Sequence, residues 1–256
     1  MTLWARFEHS GAVGFGTLEG DILNIHQGDM FSAPSPSADT LGLSEVKLLA
    51  PGEPTKMVAM WNNFHALSAK MEMAEPGEPL FFLKANNSFL GPDQTIRRPA
   101  SYDGKVVYEG ELGIVIGKTC SRVAEAEALD YVFGYTCIND VTAVELISKD
   151  KTFAQWTRAK SFDTFGVFGP VIATGLEPAS LVVKTVLNGD ERQNYPISDM
   201  IFPVPRLVSR ISHDMTLMPG DVIACGTSIG VGSMKEKSNT VEVSIEGIGT
   251  LANVFE

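Results

Sequence analysis

Two glutamates sit one residue apart in an apolar run, Val107-Tyr-Glu109-Gly-Glu111-Leu-Gly-Ile-Val-Ile-Gly117, and their spacing is the first sign of chemistry in the chain. In an extended strand alternate residues share a face, so the two carboxylates lie about 7 Å apart at Cα. Tyr108, Leu112, Ile114 and Ile116 take the opposite face. Like charges side by side in an apolar strand are costly unless a positive charge sits between them. A divalent cation is one resolution, and carboxylate-only ligands select a hard ion, Mg²⁺, Mn²⁺ or Ca²⁺, over zinc. A solvated strand face, which accepts glutamates freely, is the other. Asp140 follows an apparent strand, Tyr135 to Asn139, and reads either as a third carboxylate or as the N-cap of a helix beginning there. Gln155 to Thr164 mixes cations, aromatics and hydroxyls with no clean period, which suits a site lining or a surface loop equally.

Other motifs fail on inspection. Gly226-Thr-Ser-Ile-Gly230 has the form of a serine-hydrolase elbow, but that arrangement needs a histidine after the serine and the last histidine here is His213. No Gly-Lys-Ser/Thr follows these glycines, so they are not a phosphate-binding loop. They read as a glycine-rich turn between strands. His-Glu-x-x-His is absent.

The elements that must position these residues are mostly strands. Residues 1 to about 50 read as short strands and turns, with Ser32 to Ala38 as surface loop and Pro51-Gly-Glu-Pro54 as the boundary to the larger part of the chain. Beyond it, Phe64 to Met73 reads as a short helix capped by Asn62 or Asn63, and Val106 to Ile116 as one alternating strand. Val123 to Val132 and Val141 to Lys149 read as helical, and residues 181–188 and 240–254 as strands. Strands outnumber helices without βαβ alternation, which predicts an α+β, mainly β fold.

The 256 residues carry Lys+Arg 20 against Asp+Glu 31, a net charge of −11 that repels phosphate backbones and anionic lipid. Neither nucleic acid nor membrane is expected as a partner. No apolar run is long enough for a membrane helix, and Arg6, Glu8 and His9 interrupt the N-terminal stretch where a signal peptide would be apolar. Cys120, Cys137 and Cys225 are odd in number with no Cys-x-x-Cys pair, which argues against a disulfide framework and structural zinc. A reduced, cytoplasmic protein is the expectation.

From about residue 55 to 254 the ordered set of motifs resembles the fumarylacetoacetate hydrolase family, on the acylpyruvase and 2-hydroxyhepta-2,4-diene-1,7-dioate isomerase-like side. The matching pieces are Asn63-Phe-His65-Ala, Phe82-Leu-Lys84, Tyr108-Glu-Gly-Glu111-Leu, Gly134-Tyr-Thr-Cys-Ile-Asn-Asp140 and Arg158-Ala-Lys-Ser-Phe-Asp-Thr164. They continue with Ser198-Asp-Met-Ile-Phe202, Pro219-Gly-Asp-Val222 and Gly226-Thr227. The resemblance implies a mixed β-roll with flanking short helices over residues 55–256, a small accessory N-terminal domain over 1–54, and a homodimer. It implies Glu109, Glu111 and Asp140 as ligands of Mg²⁺ or Mn²⁺, with Lys84, Lys160 and Thr227 contacting a small 2-oxo acid. Lys160 and His65 would be the catalytic side chains, His65 by deprotonating water.

The implied reaction is hydrolysis of the carbon–carbon bond of an acylpyruvate-type 2,4-dioxo acid to pyruvate, as in the catabolism of aromatic compounds. Alternatives on the same site are decarboxylation or tautomerisation of a 2-oxo diacid, or non-catalytic binding. The chain departs from the family pattern around the site. Counted from Asn63-Phe64, the usual histidine and its glutamate fall on Leu67 and Lys70; His65 comes two residues early, and Ser68 then stands where its glutamate belongs. Val144 and Ile147 replace the usual arginine and glutamine after Asp140. These changes bear on the reaction rather than on the metal.

Overall fold

The computed structural model describes residues 1–256. Four antiparallel strands open the chain: β1 (Thr2–His9), β2 (Ala12–Glu19), β3 (Ile22–Gln27) and β4 (Ser35–Gly42), followed by the short β5 (Lys47–Leu48). Next come β6 (Met57–Trp61), helix α1 (His65–Lys70), β7 (Leu80–Lys84), β8 (Phe89–Leu90), β9 (Thr95–Ile96), β10 (Val106–Tyr108), β11 (Gly110–Ile116), β12 (Val132–Asp140) and β13 (Thr142–Ala143). Helix α2 (Trp156–Lys160) leads into β14 (Gly166–Thr174), β15 (Val182–Leu187) and β16 (Asp190–Pro196). Helix α3 (Val204–Asp214), β17 (Val222–Ala224), β18 (Gly232–Ser233), β19 (Asn239–Ile245) and β20 (Gly249–Phe255) complete the chain.

Most strands join one twelve-stranded sheet in the order β4-β3-β2-β1-β14-β12-β11-β17-β6-β7, with β5 beside β1 and β8 beside β14. A five-stranded sheet, β16-β15-β19-β20-β9, and a three-stranded one, β13-β10-β18, accompany it. The fold is thus mainly β with short flanking helices. No helix is long and apolar enough to cross a membrane.

Strand alternation gives the large sheet two buried faces. Leu112, Ile114 and Ile116 of β11 face the main core, where they join Val183 of β15, Val243 of β19 and the apolar side of α3 (Leu207, Val208, Ile211). Val115, Ile138 of β12, Phe168 of β14, Ala59 of β6 and Phe82 of β7 form a second cluster on the other face. Glu111, Asp140 and Lys84 share strand parity with Val115, Ile138 and Phe82, so the second face passes from apolar to charged at these strand ends.

Several local expectations are corrected. The run Val106 to Ile116 is not one strand: β10 and β11 belong to different sheets and separate at Glu109. There the Glu109 N–H leaves the ladder to donate to Asn139 Oδ1 at 3.1 Å. Val141 to Lys149 is not a helix, because β13 pairs with β10 and leaves only a 3₁₀ turn at Val144–Leu146. Asp140 therefore caps nothing and ends a strand. Residues 125–131 form 3₁₀ helix only. Strand β4 begins inside the expected loop, at Ser35, and Pro36 is tolerated because β4 is the sheet's edge. Helix α1 is capped by Phe64 with no side-chain bond, since both asparagines are engaged elsewhere.

Candidate active site

The two glutamates of the β10–β11 junction and the last residue of β12 come together. The carboxylates of Glu109, Glu111 and Asp140 lie within 4.8 Å of one another. Pairing of β11 with β12 accomplishes this: Glu111 is opposite Ile138, and the Asp140 N–H donates to the Glu109 carbonyl at 2.9 Å. Asp140 and Glu111 are buried, and Glu109 is half-buried.

Two lysines enter the cluster from other elements. Lys160, at the end of α2, donates to Glu109 Oε2 and Asp140 Oδ2, each at 2.6 Å. Its Nζ also lies 5.1 Å from the centre of the Phe82 ring. Phe82 stacks on Trp156 with centroids 5.3 Å apart, and Trp61 meets Trp156 at 5.0 Å, so an aromatic wall borders the ammonium. Lys84, at the end of β7, donates to Asp140 Oδ1 and to the Lys160 carbonyl, with the Val141 carbonyl at 3.4 Å.

Charge counting shows what the cluster lacks. Three carboxylates face two ammoniums, and Glu111 accepts only the Gly226 N–H, at 2.9 Å. Burial, reinforced by repulsion from Asp140 and Glu109, pushes the Glu111 carboxyl well above its ordinary range. Burial also raises Glu109 against the pull of Lys160. Asp140 goes the other way, because Lys160 and Lys84 together outweigh its desolvation and hold it low. Burial would lower Lys160, yet Asp140, Glu109 and Glu111 more than offset it and hold the ammonium above its usual value. For Lys84, enclosed on all sides, burial wins and lowers it. An all-oxygen set with an unmatched buried carboxylate fits a hard divalent cation.

The remaining expected residues divide. Thr227, on the loop after β17, lies beside the cluster through Gly110: its hydroxyl donates to the Gly110 carbonyl at 3.0 Å. Lys84 does not suit the substrate contact expected of it, because its side chain is wholly buried and its donors already face three protein oxygens. It braces Asp140 instead. His65 stands outside the cluster at the start of α1, half exposed, with Nδ1 2.6 Å from Glu75 Oε1. Glu75 is thus the carboxylate partner that Leu67, Ser68 and Lys70 do not supply, reached from ten residues onward rather than from within the helix. Ser68 is buried and bonds Asn62 Oδ1 at 2.7 Å.

Sequence reasoning also misses Asn63, Gln193 and Tyr195. Asn63 reads as a helix cap, but its side chain accepts the Phe202 N–H and donates to the Cys225 carbonyl, both at 2.9 Å, next to the Gly226 that binds Glu111. Gln193 and Tyr195 lie in a polar stretch, Asp190-Glu-Arg-Gln-Asn-Tyr195, whose composition suggests only an exposed strand; their alternate spacing is the available signal.

The comparisons with known proteins agree with this architecture. The family model described as fumarylacetoacetate (FAA) hydrolase C-terminal matches residues 56–256, and one described as Rv2993c-like, N-terminal matches residues 3–51. The chain is 36% identical over 253 residues to the oxaloacetate tautomerase YisK of Bacillus subtilis, covering 92% of this chain and 83% of that protein. The crystal structure of a 2-hydroxyhepta-2,4-diene-1,7-dioate isomerase from Mycobacterium marinum superposes with a TM-score of 0.90 at 38% identity, covering 100% of this chain and 98% of the other. A maleylpyruvate hydrolase from a Sphingobium strain, solved with manganese(II) and pyruvate, gives 0.79 at 28% identity, with 100% and 98% covered.

Proposed function

The chain belongs to the fumarylacetoacetate hydrolase family, and on that premise we propose a divalent-metal-dependent hydrolase that cleaves an acylpyruvate-type 2,4-dioxo acid to pyruvate and a carboxylic acid. The observation that carries this reading is the buried cluster of three carboxylates and two ammoniums in which Glu111 has no cationic partner. Glu109, Glu111 and Asp140 would hold Mg²⁺ or Mn²⁺; the maleylpyruvate hydrolase relative was solved with manganese and pyruvate. Further parts of the proposal are a cytoplasmic homodimer and a role in aromatic catabolism.

When bound, the cation supplies Lewis-acid stabilisation of the negative charge that develops on the substrate's keto oxygen. The chain's own groups do the rest. Lys160 keeps two N–H groups on Glu109 and Asp140 and has a third to offer a substrate oxygen. Thr227 borders the same space, and Phe82 with Trp156 gives the acyl portion an apolar neighbour. With its Nδ1–H held by Glu75, His65 leaves Nε2 to take a proton from an attacking water.

A second reading, tautomerisation or decarboxylation of a 2-oxo diacid, draws support from Val144 and Ile147. Both are apolar where the family pattern has arginine and glutamine, and Ile147 packs against the main core, so neither supplies the polar contacts that pattern implies for a long dioxo acid. Such reactions need no attacking water. The identity to an oxaloacetate tautomerase points the same way.

Metal-stripped protein assayed on a panel of 2,4-dioxo acids and oxaloacetate, with and without Mg²⁺ or Mn²⁺, separates the two. Hydrolysis predicts metal-dependent pyruvate without CO₂, abolished in both His65→Ala and Glu75→Ala while the thermal shift on adding Mn²⁺ persists. Unchanged pyruvate release in His65→Ala would remove that residue from the mechanism. CO₂ or enol-to-keto conversion from oxaloacetate alone would replace the hydrolase reading with the second.

A further inference from the structure

Beside its pairing with β12, the backbone that carries the two glutamates is held by side chains. At the break between β10 and β11 the Glu109 N–H turns to Asn139 Oδ1 and the Gly110 N–H turns to Gln193 Oε1, at 3.0 Å. Gln193 reaches this point from β16, on the five-stranded sheet, and is buried. A primary amide in such a place is costly unless every group is engaged, and Gln193 engages all of them. Its Nε2 lies 2.8 Å from Thr227 Oγ1 and 3.4 Å from the carbonyls of Ser228 and Ile229.

The partners fix which way the amide faces. The Gly110 N–H can only donate, so it selects the amide oxygen; the two carbonyls can only accept, so they select the NH₂. Thr227 Oγ1 therefore receives a hydrogen bond from Gln193, and its own proton is directed away, toward the Gly110 carbonyl at 3.0 Å. The result is a closed ring: Gly110 N–H to Gln193, Gln193 to Thr227, Thr227 to Gly110 C=O. Tyr195, the other inward residue of β16, donates to the same carbonyl at 2.5 Å. The peptides on both sides of Gly110, between Glu109 and Glu111, are thereby tied to the loop whose Gly226 N–H holds Glu111.

We propose that Gln193 is a positioning residue that holds the Glu109–Glu111 pair and the Thr227 loop in one register. Its hydrogen bonds go to neither the carboxylates nor Lys160, so its effect passes through Gly110 and Thr227. The inference rests on the proposed function, in which the glutamates bind a divalent cation and Thr227 meets the substrate.

A double-mutant cycle tests it, using Gln193→Met and Thr227→Val in the full chain. Two affinities are read by calorimetry: Mn²⁺ for the metal-free protein, and oxalate, a planar dicarboxylate probe, for the Mn²⁺-loaded protein. Thermal melting confirms that each variant folds. Loss of one neutral hydrogen bond in the ring sets the scale, up to about tenfold in affinity for each single variant. Because both changes open the same ring, the double variant should lose about tenfold as well, not a hundredfold. Mn²⁺ affinity should fall several-fold in either single variant, and Thr227→Ser, which keeps the hydroxyl, should restore it. Losses that multiply in the double variant overturn the proposal, as does Mn²⁺ affinity unchanged in Gln193→Met and Thr227→Val. Should Gln193→Met fail to fold, the contrast of Val with Ser at position 227 decides the same question on Mn²⁺ affinity. Wild-type protein that binds Mn²⁺ but neither binds oxalate nor turns over any 2-oxo acid refutes the proposed function, and the Mn²⁺ measurements still decide the role of Gln193.

Discussion

Replacing Lys84 by methionine separates a bracing role from a substrate contact. Methionine keeps most of the aliphatic stem and removes the ammonium. In the wild type that ammonium is wholly buried and faces Asp140, the Lys160 carbonyl and the Val141 carbonyl. Its loss leaves the three carboxyl groups of the metal-free cluster facing one ammonium in place of two. Removing one partner of a buried ion pair costs about 3–5 kcal/mol. Asp140 keeps its bond to Lys160, so the lower figure applies, about 3 kcal/mol. In a chain of this size that corresponds to a fall of roughly 6–12 °C in melting temperature. The cluster also becomes more negative, so Mn²⁺ should raise the melting temperature of the variant by more than it raises that of the wild type. Melting curves by circular dichroism, with and without saturating Mn²⁺, provide the test. A fall of less than about 2 °C without metal, together with a raised KM, would refute the bracing argument and return Lys84 to the substrate.

Glu111→Gln should leave the metal-free protein nearly as stable as the wild type, since the amide oxygen still receives the Gly226 N–H and an unmatched buried charge is gone; the Mn²⁺-induced thermal shift should disappear, and its persistence would exclude Glu111 as a ligand. The pH dependence of the metal-free protein follows from the same group. Its folded-state value lies above the ordinary 4.5, so the folded chain keeps a proton the unfolded chain has released, and stability falls as pH rises through that raised value. Asp140 acts oppositely, losing its contribution only as pH falls through its lowered value. Melting temperature should therefore decline as pH rises above the ordinary carboxylate range without metal and flatten with Mn²⁺; a decline that Mn²⁺ leaves untouched would point to other groups. Gly110→Ala would drive a Cβ into Thr185 Oγ1, an overpacking cost of about 1–3 kcal/mol that Thr185→Ala should partly relieve in the double variant. Thermal melting measures both, and wild-type stability in Gly110→Ala would contradict the described packing.

The acidic pair is legible in the sequence because its signal is local: two glutamates at strand spacing in an apolar run, with Asp140 at the end of the next strand-like segment. The lysines are legible only through resemblance, since nothing in the pattern around Lys84 or Lys160 says that either is buried. The break at Glu109 is not legible at all, because it depends on side chains 30 and 83 residues away from the amides they hold, Asn139 and Gln193. Val141 to Lys149 has a helical composition, but pairing with β10 takes its first residues into a sheet. Pro36 and its neighbours suggest a loop for the opposite reason: prolines are excluded from a strand's interior positions in a sheet, yet its outer edge admits them. Glu75 escapes because a partner reached across the end of a short helix has no fixed spacing.

The pairing of β1 with β14 has a consequence for how the chain could be divided. Thr2, Leu3 and Trp4 lie against Thr174, Ala173 and Ile172 on the side of β14 away from β12. Cut away the first 54 residues, and the end of that side from Ile172 to Thr174 is left with bare amides and carbonyls beside apolar residues, while Gly166 and Val167 stay paired with β8; the bared end is a template for pairing with another molecule. The leading meander thus acts as a guard against self-adhesion, and a shortened chain that retained every residue of the acidic cluster would be expected to lose solubility.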